Sequence, residues 1–193
     1  MQAAFINAGL QRTAFLHASD INAGQAVVEG APREQPPIQQ LLREQQRIMV
    51  QVLKDPIGSK GARLTTQIAI PSRYLVLLVD NPGLGVSARI ESNAERERLR
   101  EIGLSLLGED SPNGCILRTA AEGVSEAALT RDWAFLQRLW AAVRERAEEA
   151  QPATLLHEDL PLMLQVLRDL VGDDVERVRI DSREWHERMI AFS

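Results

Sequence analysis

Cysteine and histidine are scarce in this chain, and both scarcities exclude kinds of site. The single cysteine, Cys115, cannot form an internal disulfide, which agrees with a reducing, cytoplasmic compartment. Its apolar neighbours favour a buried structural thiol over a nucleophile. The three histidines are far apart, and the acidic residues near one of them, His186, are better explained as helix capping. The sequence therefore predicts neither a metal site nor a thiol-based active site.

Long apolar runs and lysines are also few. No run approaches the roughly 18 residues that span a bilayer, and the first residues lack the basic patch and apolar core of a signal peptide. Only Lys54 and Lys60 are lysines among the 22 basic residues, and the net charge is −5. Because nonspecific nucleic-acid binding needs clustered positive charge, any RNA contact is expected to be local. We expect a cytoplasmic protein without a membrane partner.

The most informative motif is GCILRTAAEG, at residues 114–123. An apolar strand over 114–119 is predicted to place Arg118 and Thr119 side by side at its end. A guanidinium fork beside a hydroxyl and a backbone N–H suits a phosphate group. Arg89 ends another short apolar run, so a second guanidinium could reach the same place. The alternative is a solvated strand edge, which is the commoner setting for an Arg-Thr pair.

Hydrophobic periodicity, turn residues and helix caps predict a mixture of short strands and helices. The predicted strands cover residues 3–7, 14–17, 48–52, 64–70, 74–79, 85–90, 114–119 and 176–180. The predicted helices cover residues 38–46, 92–107, 125–150, 160–171 and 182–192. Residues 21–37 are expected to form a loop, and Pro71 to mark a domain boundary. Short strands with one helical turn among them are typical of a small OB-type barrel.

Three separate segments resemble one protein family. They are residues 46–80, the stretch RTAAEGV at 118–124, and VRIDSR at 178–183. In this order they resemble the ribonuclease E/G family of bacterial endoribonucleases, and its ribonuclease G branch more than its ribonuclease E branch. The resemblance runs over essentially the whole chain.

The resemblance implies an α+β fold in three parts. Residues 1–71 would form a partial OB-type β-barrel that binds RNA, residues 72–154 a small mixed α/β domain called the 5′ sensor, and residues 155–193 a fragment of an RNase H-like subdomain. The family's DNase I-like catalytic domain, whose two aspartates hold magnesium, matches nothing up to Ser193, and the first residues match an internal stretch of the barrel. We therefore expect a truncated chain that has no cofactor of its own and is inactive as a nuclease alone.

The resemblance also implies roles for residues of the predicted barrel. Phe5 and Phe15 match aromatic residues that stack on RNA bases, and Lys60 matches a lysine that contacts RNA. Exposed aromatics on an OB surface do stack on bases, and a nearby lysine suits the phosphate backbone. Without the resemblance, two phenylalanines in strands would be read as core residues.

In the 5′ sensor, Arg118 and Thr119 match the residues with which the family grips the 5′-monophosphate of its substrate. Val76 matches a backbone contact in that pocket, and Arg89 matches one of two adjacent arginines of ribonuclease E. The other arginine is Ala88 here, and Ser72 replaces a glycine of the pocket. These departures put the affinity of the pocket, but not the presence of Arg118 and Thr119, in doubt.

The function implied is that of the RNA-binding portion of a single-strand-specific endoribonuclease, a hydrolase of ribosomal RNA processing and messenger decay. Its partner would be single-stranded RNA with a 5′-monophosphate, and intact family members are homo-oligomers. The alternative is a non-functional relic, or an interaction fragment without independent RNA binding, because a clipped barrel could lack the strands to close.

Overall fold

The computed structural model describes residues 2–21, 36–58, 60–171 and 175–192, which form an α+β fold with two four-stranded sheets. The strands are β1 (Ala3–Ile6), β2 (Ala14–His17), β3 (Gln51–Lys54), β4 (Arg63–Thr65), β5 (Ala69–Pro71), β6 (Leu75–Leu78), β7 (Leu84–Val86) and β8 (Gly114–Leu117). The helices are α1 (Ile38–Leu41), α2 (Asn93–Leu107), α3 (Glu126–Glu149), α4 (Leu162–Leu170) and α5 (Arg183–Phe192). The predicted loop at 21–37 lies mostly outside the described residues.

The first sheet has the strand order β1-β2-β4-β3. β1 and β2 are antiparallel, β2 and β4 parallel, and β4 and β3 antiparallel. The side chains of Ala14, Leu16, Ala62 and Leu64 alternate inward and form its small core. Within the described residues β1 and β3 remain edges, so the sheet is open, as expected for a partial OB-type arrangement.

A close backbone contact joins the β3–β4 hairpin to β2 at Gly61. A Cβ atom on Gly61 would lie 1.9 Å from the carbonyl oxygen of Thr13. The next residue, Ala62, accepts a hydrogen bond of 2.9 Å from the Phe15 N–H. Only glycine fits this approach, because any side chain would collide with backbone.

The second sheet has the order β5-β6-β8-β7. β6 pairs antiparallel with β5 and β8, whereas β7 runs parallel to β8. Helices α2 and α3 pack against this sheet, and the larger core of the molecule lies between the sheet and the two helices. The predicted tryptophan stripe of α3 is confirmed in this core, since Leu129, Trp133 and Leu136 are all buried.

Helix α2 begins at the predicted cap, where the Ser92 hydroxyl accepts a hydrogen bond from the Glu95 N–H. The Glu95 side chain departs from a capping box, because its carboxylate binds Arg98 and the Gly123 N–H instead. Hydrogen bonds from Arg98 and then from Gly123 lower the pKa of Glu95 to about 2. One carboxylate thus fixes the start of α2 to the loop that precedes α3.

The predicted long strand over 64–70 is wrong in its length. β4 ends at Thr65, whose hydroxyl donates to the Asp20 carbonyl and accepts from the Gln67 N–H. These side-chain bonds replace ladder bonds, and the chain leaves the first sheet before β5 opens the second. The Gln51 side chain bridges the junction: its amide nitrogen donates to the Ala69 carbonyl and its amide oxygen accepts from the Ala69 N–H, both at 2.9 Å.

The predicted strand at 176–180 is also wrong. In the described residues from Val175 onward the chain is irregular until α5 begins. A lone extended segment there has no described neighbour with which to form a ladder, so its pattern alone cannot make a strand. The helices of the described residues include none with the length and apolar character that crossing a bilayer requires. The division at residues 71 and 154 stays a prediction.

Candidate functional site

Arg118 and Thr119 follow directly after β8, as the sequence predicts. Because β7 and β8 are parallel, both strands end at the same edge of the second sheet. A short 3-10 turn over Thr119–Ala121 then leads the chain away. This edge therefore collects the side chains that follow two strands, an arrangement that often serves ligand binding in sheets with parallel strands.

The two terminal nitrogens of the Arg118 guanidinium are engaged on the β6 side of this edge. Its Nη1 donates to the carbonyl oxygens of Ser72 and Arg73, in the turn between β5 and β6. Nη1 and Nη2 also bind the two carboxylate oxygens of Asp169, each at 3.0 Å. The Arg118 backbone N–H donates to the Tyr74 carbonyl. The guanidinium thus already binds an anion through its two-pronged fork, the geometry with which arginine holds carboxylates and phosphates.

Asp169 comes from α4, and it lies between two guanidinium groups. Arg168 binds the same carboxylate through Nε at 2.8 Å and is itself held by Asp159 at 3.6 Å. Burial would raise the pKa of Asp169, but hydrogen bonds from Arg168 and Arg118 outweigh it and lower the pKa to about 2. Asp169 is therefore ionised at any physiological pH.

The turn that receives Arg118 is organised by Asp132 of α3. One oxygen of the Asp132 carboxylate accepts from the Ser72 hydroxyl at 2.6 Å and from the N–H groups of Tyr74 and Leu75 at 3.0 and 3.1 Å. The Ser72 side chain is buried, and its hydroxyl oxygen also lies 3.0 Å from the Leu75 carbonyl oxygen, which is a second acceptor for the same proton. Ser72, which the resemblance matches to a glycine of the ribonuclease E pocket, is thus a hydrogen-bonded part of the turn.

Thr119 faces the other side of β8. Its hydroxyl shares a hydrogen bond of 2.9 Å with the hydroxyl of Ser87, which follows β7. Arg89 is exposed two residues further on, and its backbone N–H lies 3.4 Å from the Ser87 Oγ. Arg118 and Thr119 therefore leave the strand together, but their side chains contact opposite neighbours, β6 and β7 respectively.

Val76 lies in the middle of β6, opposite Pro71 of β5 and Ile116 of β8. It is half-buried and flanked by paired strands on both sides. Its predicted backbone contact with a phosphate stays a prediction.

A second candidate surface is the outer face of the first sheet. Phe5 and Phe15 are cross-strand partners, and Phe15 in turn is opposite Arg63 of β4. Phe5 is 69% exposed, Phe15 is half-buried, and neither belongs to the core cluster of this sheet. Phe5 is therefore not a core residue. In the register of the sheet, Phe5, Phe15 and Arg63 form a row across three strands. The Arg63 guanidinium donates to both carboxylate oxygens of Asp20, at 2.9 and 3.0 Å. The stacking role stays a prediction.

Lys60 is exposed at the tip of the β3–β4 hairpin. Its backbone pairs with Ile57 through bonds of 3.0 and 3.2 Å, and Arg12 donates to the nearby Gly58 carbonyl. The tip is thus tied to the β1–β2 loop, on the same sheet that carries Phe5.

Sequence reasoning missed four side chains of the first site, namely Ser87, Asp132, Arg168 and Asp169. Asp132 and Asp169 lie 14 and 51 residues after Arg118 in the chain and meet its surroundings only through the packing of α3 and α4. The available signal was their position within amphipathic helices, where an acidic residue on a partly apolar face needs a partner.

The described residues contain no group of three or more carboxylate, histidine or cysteine side chains placed to hold a metal. The expectation that this chain has no magnesium of its own stays a prediction. Cys115 is buried, as predicted, and burial followed by the nearby Asp132 charge raises its pKa to about 12. The thiol is therefore protonated at physiological pH, as suits a structural cysteine.

Known proteins agree with the resemblance. The ribonuclease E/G family model matches residues 69–193. The chain is 47% identical to ribonuclease G of Escherichia coli (strain K12) over 100% of its own length and 40% of that relative. It is 44% identical to ribonuclease G of Haemophilus influenzae, over 95% of this chain and 38% of the relative. It is 39% identical to ribonuclease E of Nostoc sp., over 98% of this chain and 27% of that relative.

The chain thus spans about 40% of the length of the ribonuclease G relatives that it matches. Among these relatives, identity is higher with the two ribonuclease G proteins than with ribonuclease E, as the sequence motifs indicate. Because the family model covers both the second sheet and the helices that carry Asp132 and Asp169, the match includes the whole edge around Arg118. The chain belongs to the ribonuclease E/G family.

Proposed function

We propose that this chain recognises the 5′ end of single-stranded RNA as part of a ribonuclease G-type endoribonuclease, and that a terminal monophosphate binds at Arg118 and Thr119. The observation that carries the proposal is the fork-like contact of Arg118 with a carboxylate, because two terminal nitrogens in this geometry can also donate to two phosphate oxygens. The exposed hydroxyls of Thr119 and Ser87 supply further donors at the same strand edge.

The aromatic face of the first sheet suits the rest of the RNA. Successive bases would stack on Phe5 and Phe15, and Lys60 would meet a backbone phosphate from the hairpin tip. The net charge of −5 agrees with binding through such local contacts. RNA cleavage in the ribosomal RNA processing and messenger decay roles of the family would need magnesium, which the resemblance assigns to a catalytic domain that matches no part of residues 1–193.

The test is the affinity of the purified chain for one short single-stranded RNA, carrying either a 5′-monophosphate or a 5′-hydroxyl. We expect tighter binding of the monophosphate form and loss of that preference in Arg118→Ala. Arg100→Ala is the matched control, because Arg100 is an exposed α2 residue whose contact with Glu97 is long, at 3.9 Å. Equal binding of both RNAs by the unmodified chain would overturn the proposal and favour the relic or interaction fragment.

A further inference from the structure

The contact between Arg118 and Asp169 places an anion of the chain itself where the proposed function puts the RNA phosphate. Both terminal nitrogens of Arg118 are bound to Asp169 at 3.0 Å, so a phosphate cannot use the same fork while the contact lasts. The Arg118 side chain is only 30% exposed in this arrangement. We infer that Asp169 is an internal competitor of the 5′-phosphate, and that RNA 5′-end binding is coupled to the release of α4; this inference rests on the proposed function.

The surroundings of α4 make such a release physically accessible. None of the α4 residues is fully buried, and Leu162 and Leu170 are 72% and 71% exposed. Within the described residues, the polar contacts between α4 and the second sheet are those of Asp169 and one of 3.5 Å from Arg168 to the Pro71 carbonyl. A helix with little buried surface separates from its domain at low cost, in contrast to α3, whose Trp133 and Leu136 are in the core.

A terminal phosphate has the charge to displace the carboxylate. It carries about −1.5 to −2 at neutral pH and three acceptor oxygens, whereas Asp169 carries one negative charge and two. The third oxygen gives the phosphate one more acceptor than the carboxylate has. The displaced carboxylate stays paired with Arg168, which binds it independently of Arg118.

The contact with Asp169 lowers the fraction of the chain whose Arg118 fork is free, so weakening that contact strengthens phosphate binding by at most the factor by which the contact is weakened. Asp169→Asn removes the charge and keeps the shape of the side chain. We expect it to raise the affinity for 5′-monophosphate RNA by about fivefold or more, given the usual strength of a partly exposed ion pair. Asp159→Asn makes the same charge change on a residue that contacts Arg168 but not Arg118, and it is the matched control.

The experiment measures both RNAs, with 5′-monophosphate and 5′-hydroxyl ends, on the unmodified chain, the two Asn variants and Asp169→Asn combined with Arg118→Ala. The inference expects a gain confined to the monophosphate RNA in Asp169→Asn, lost in the double variant. If the unmodified chain prefers the monophosphate but Asp169→Asn binds it equally or more weakly, Asp169 positions Arg118 and the inference fails alone. If the unmodified chain has no preference, the proposed function fails with it.

A second measurement needs no variant at Asp169. Amide hydrogen exchange of the unmodified chain should accelerate in α4 when the 5′-monophosphate RNA binds, and should not do so with the 5′-hydroxyl RNA. Unchanged or slower exchange in α4 with the monophosphate RNA would overturn the inference, because the phosphate would then bind without releasing the helix.

Discussion

The Asp132 carboxylate lies 2.6 Å from the Ser72 hydroxyl and holds the β5–β6 turn from the side of α3. The same oxygen accepts the N–H groups of Tyr74 and Leu75, so one residue satisfies three donors. The carbonyl groups of this turn then point to Arg118. The orientation of Arg118, the residue proposed to bind phosphate, thus depends on Asp132, for which no direct bond to Arg118 is found among the described residues.

Asp132→Ala should lower the free energy of unfolding by about 3 kcal/mol, because it takes the carboxylate acceptor from two backbone N–H groups and leaves the buried Ser72 hydroxyl only its longer contact with the Leu75 carbonyl. Asp132→Asn, which keeps one acceptor oxygen, should lose less. Urea denaturation measures both. Asp110→Ala, at an exposed turn, is the control and should change stability by less than about 0.5 kcal/mol. An Asp132→Ala variant as stable as the control would contradict the assigned role.

Acid should weaken the attachment of α4 within a defined pH window. The pKa of Asp169 is lowered to about 2, below the value of about 3.9 for an unfolded aspartate. Its contribution is therefore complete above about pH 4 and is lost as the pH falls through about 2. The difference in free energy of unfolding between the unmodified chain and Asp169→Asn should be about 2 kcal/mol near neutral pH and should shrink over that window. A difference that does not change between pH 6 and 2 would mean that the ion pair adds nothing.

Gly61→Ala should destabilise the first sheet by about 3 kcal/mol, because the new methyl group would collide with the Thr13 carbonyl 1.9 Å away. Gly58→Ala is the comparison, since Gly58 has a φ of +57° but open space around it. Its cost should be about 1 kcal/mol, from backbone strain alone. Thermal unfolding of both variants decides the order. Equal losses would show that the Thr13 contact relaxes freely.

Phe5→Ala should weaken RNA binding by about 1 to 3 kcal/mol while changing stability little, because the ring is 69% exposed. Leu53→Ala removes an exposed apolar side chain from β3 of the same sheet and provides the control. A base stacks on the flat face of phenylalanine but not on leucine, so only Phe5→Ala should reduce the affinity. Titration with single-stranded RNA measures the affinity of both variants. Equal losses of affinity at both positions would show that this sheet binds RNA only as a nonspecific apolar surface.

The sequence predicts local features of this fold well. The cap at Ser92, the tryptophan stripe of α3 and the position of Arg118 after β8 depend on residues within one element, and all three are found in the structure. Phe5 and Phe15 lie in short runs of mostly apolar residues, so the pattern cannot say which side of each strand is covered. The resemblance, rather than the pattern, placed Phe5 outside the core.

Long-range partners could not be predicted in this way. Asp169 reaches Arg118 across 51 residues, and Ser72 reaches Asp132 across 60. Neither pair has a sequence spacing that physical chemistry prefers, because only the packing of α3 and α4 on the sheet brings them together. The wrong strand prediction at 176–180 also comes from a missing long-range partner, since an apolar pattern within one segment says nothing about a neighbouring strand.

The two hydrogen bonds between the Gln51 side chain and the Ala69 backbone tie β3, in the sheet that carries Phe5 and Phe15, to β5, in the sheet that precedes Arg118. Under the proposed function, the place that holds bases and the place that holds the 5′ end are therefore kept at a set separation. An RNA long enough to reach both gains the second contact as an intramolecular step, whereas a shorter RNA gains one contact only. The junction between the sheets would then fix the distance that an RNA must span, and this chain would prefer RNAs with enough nucleotides after the terminal phosphate to span it.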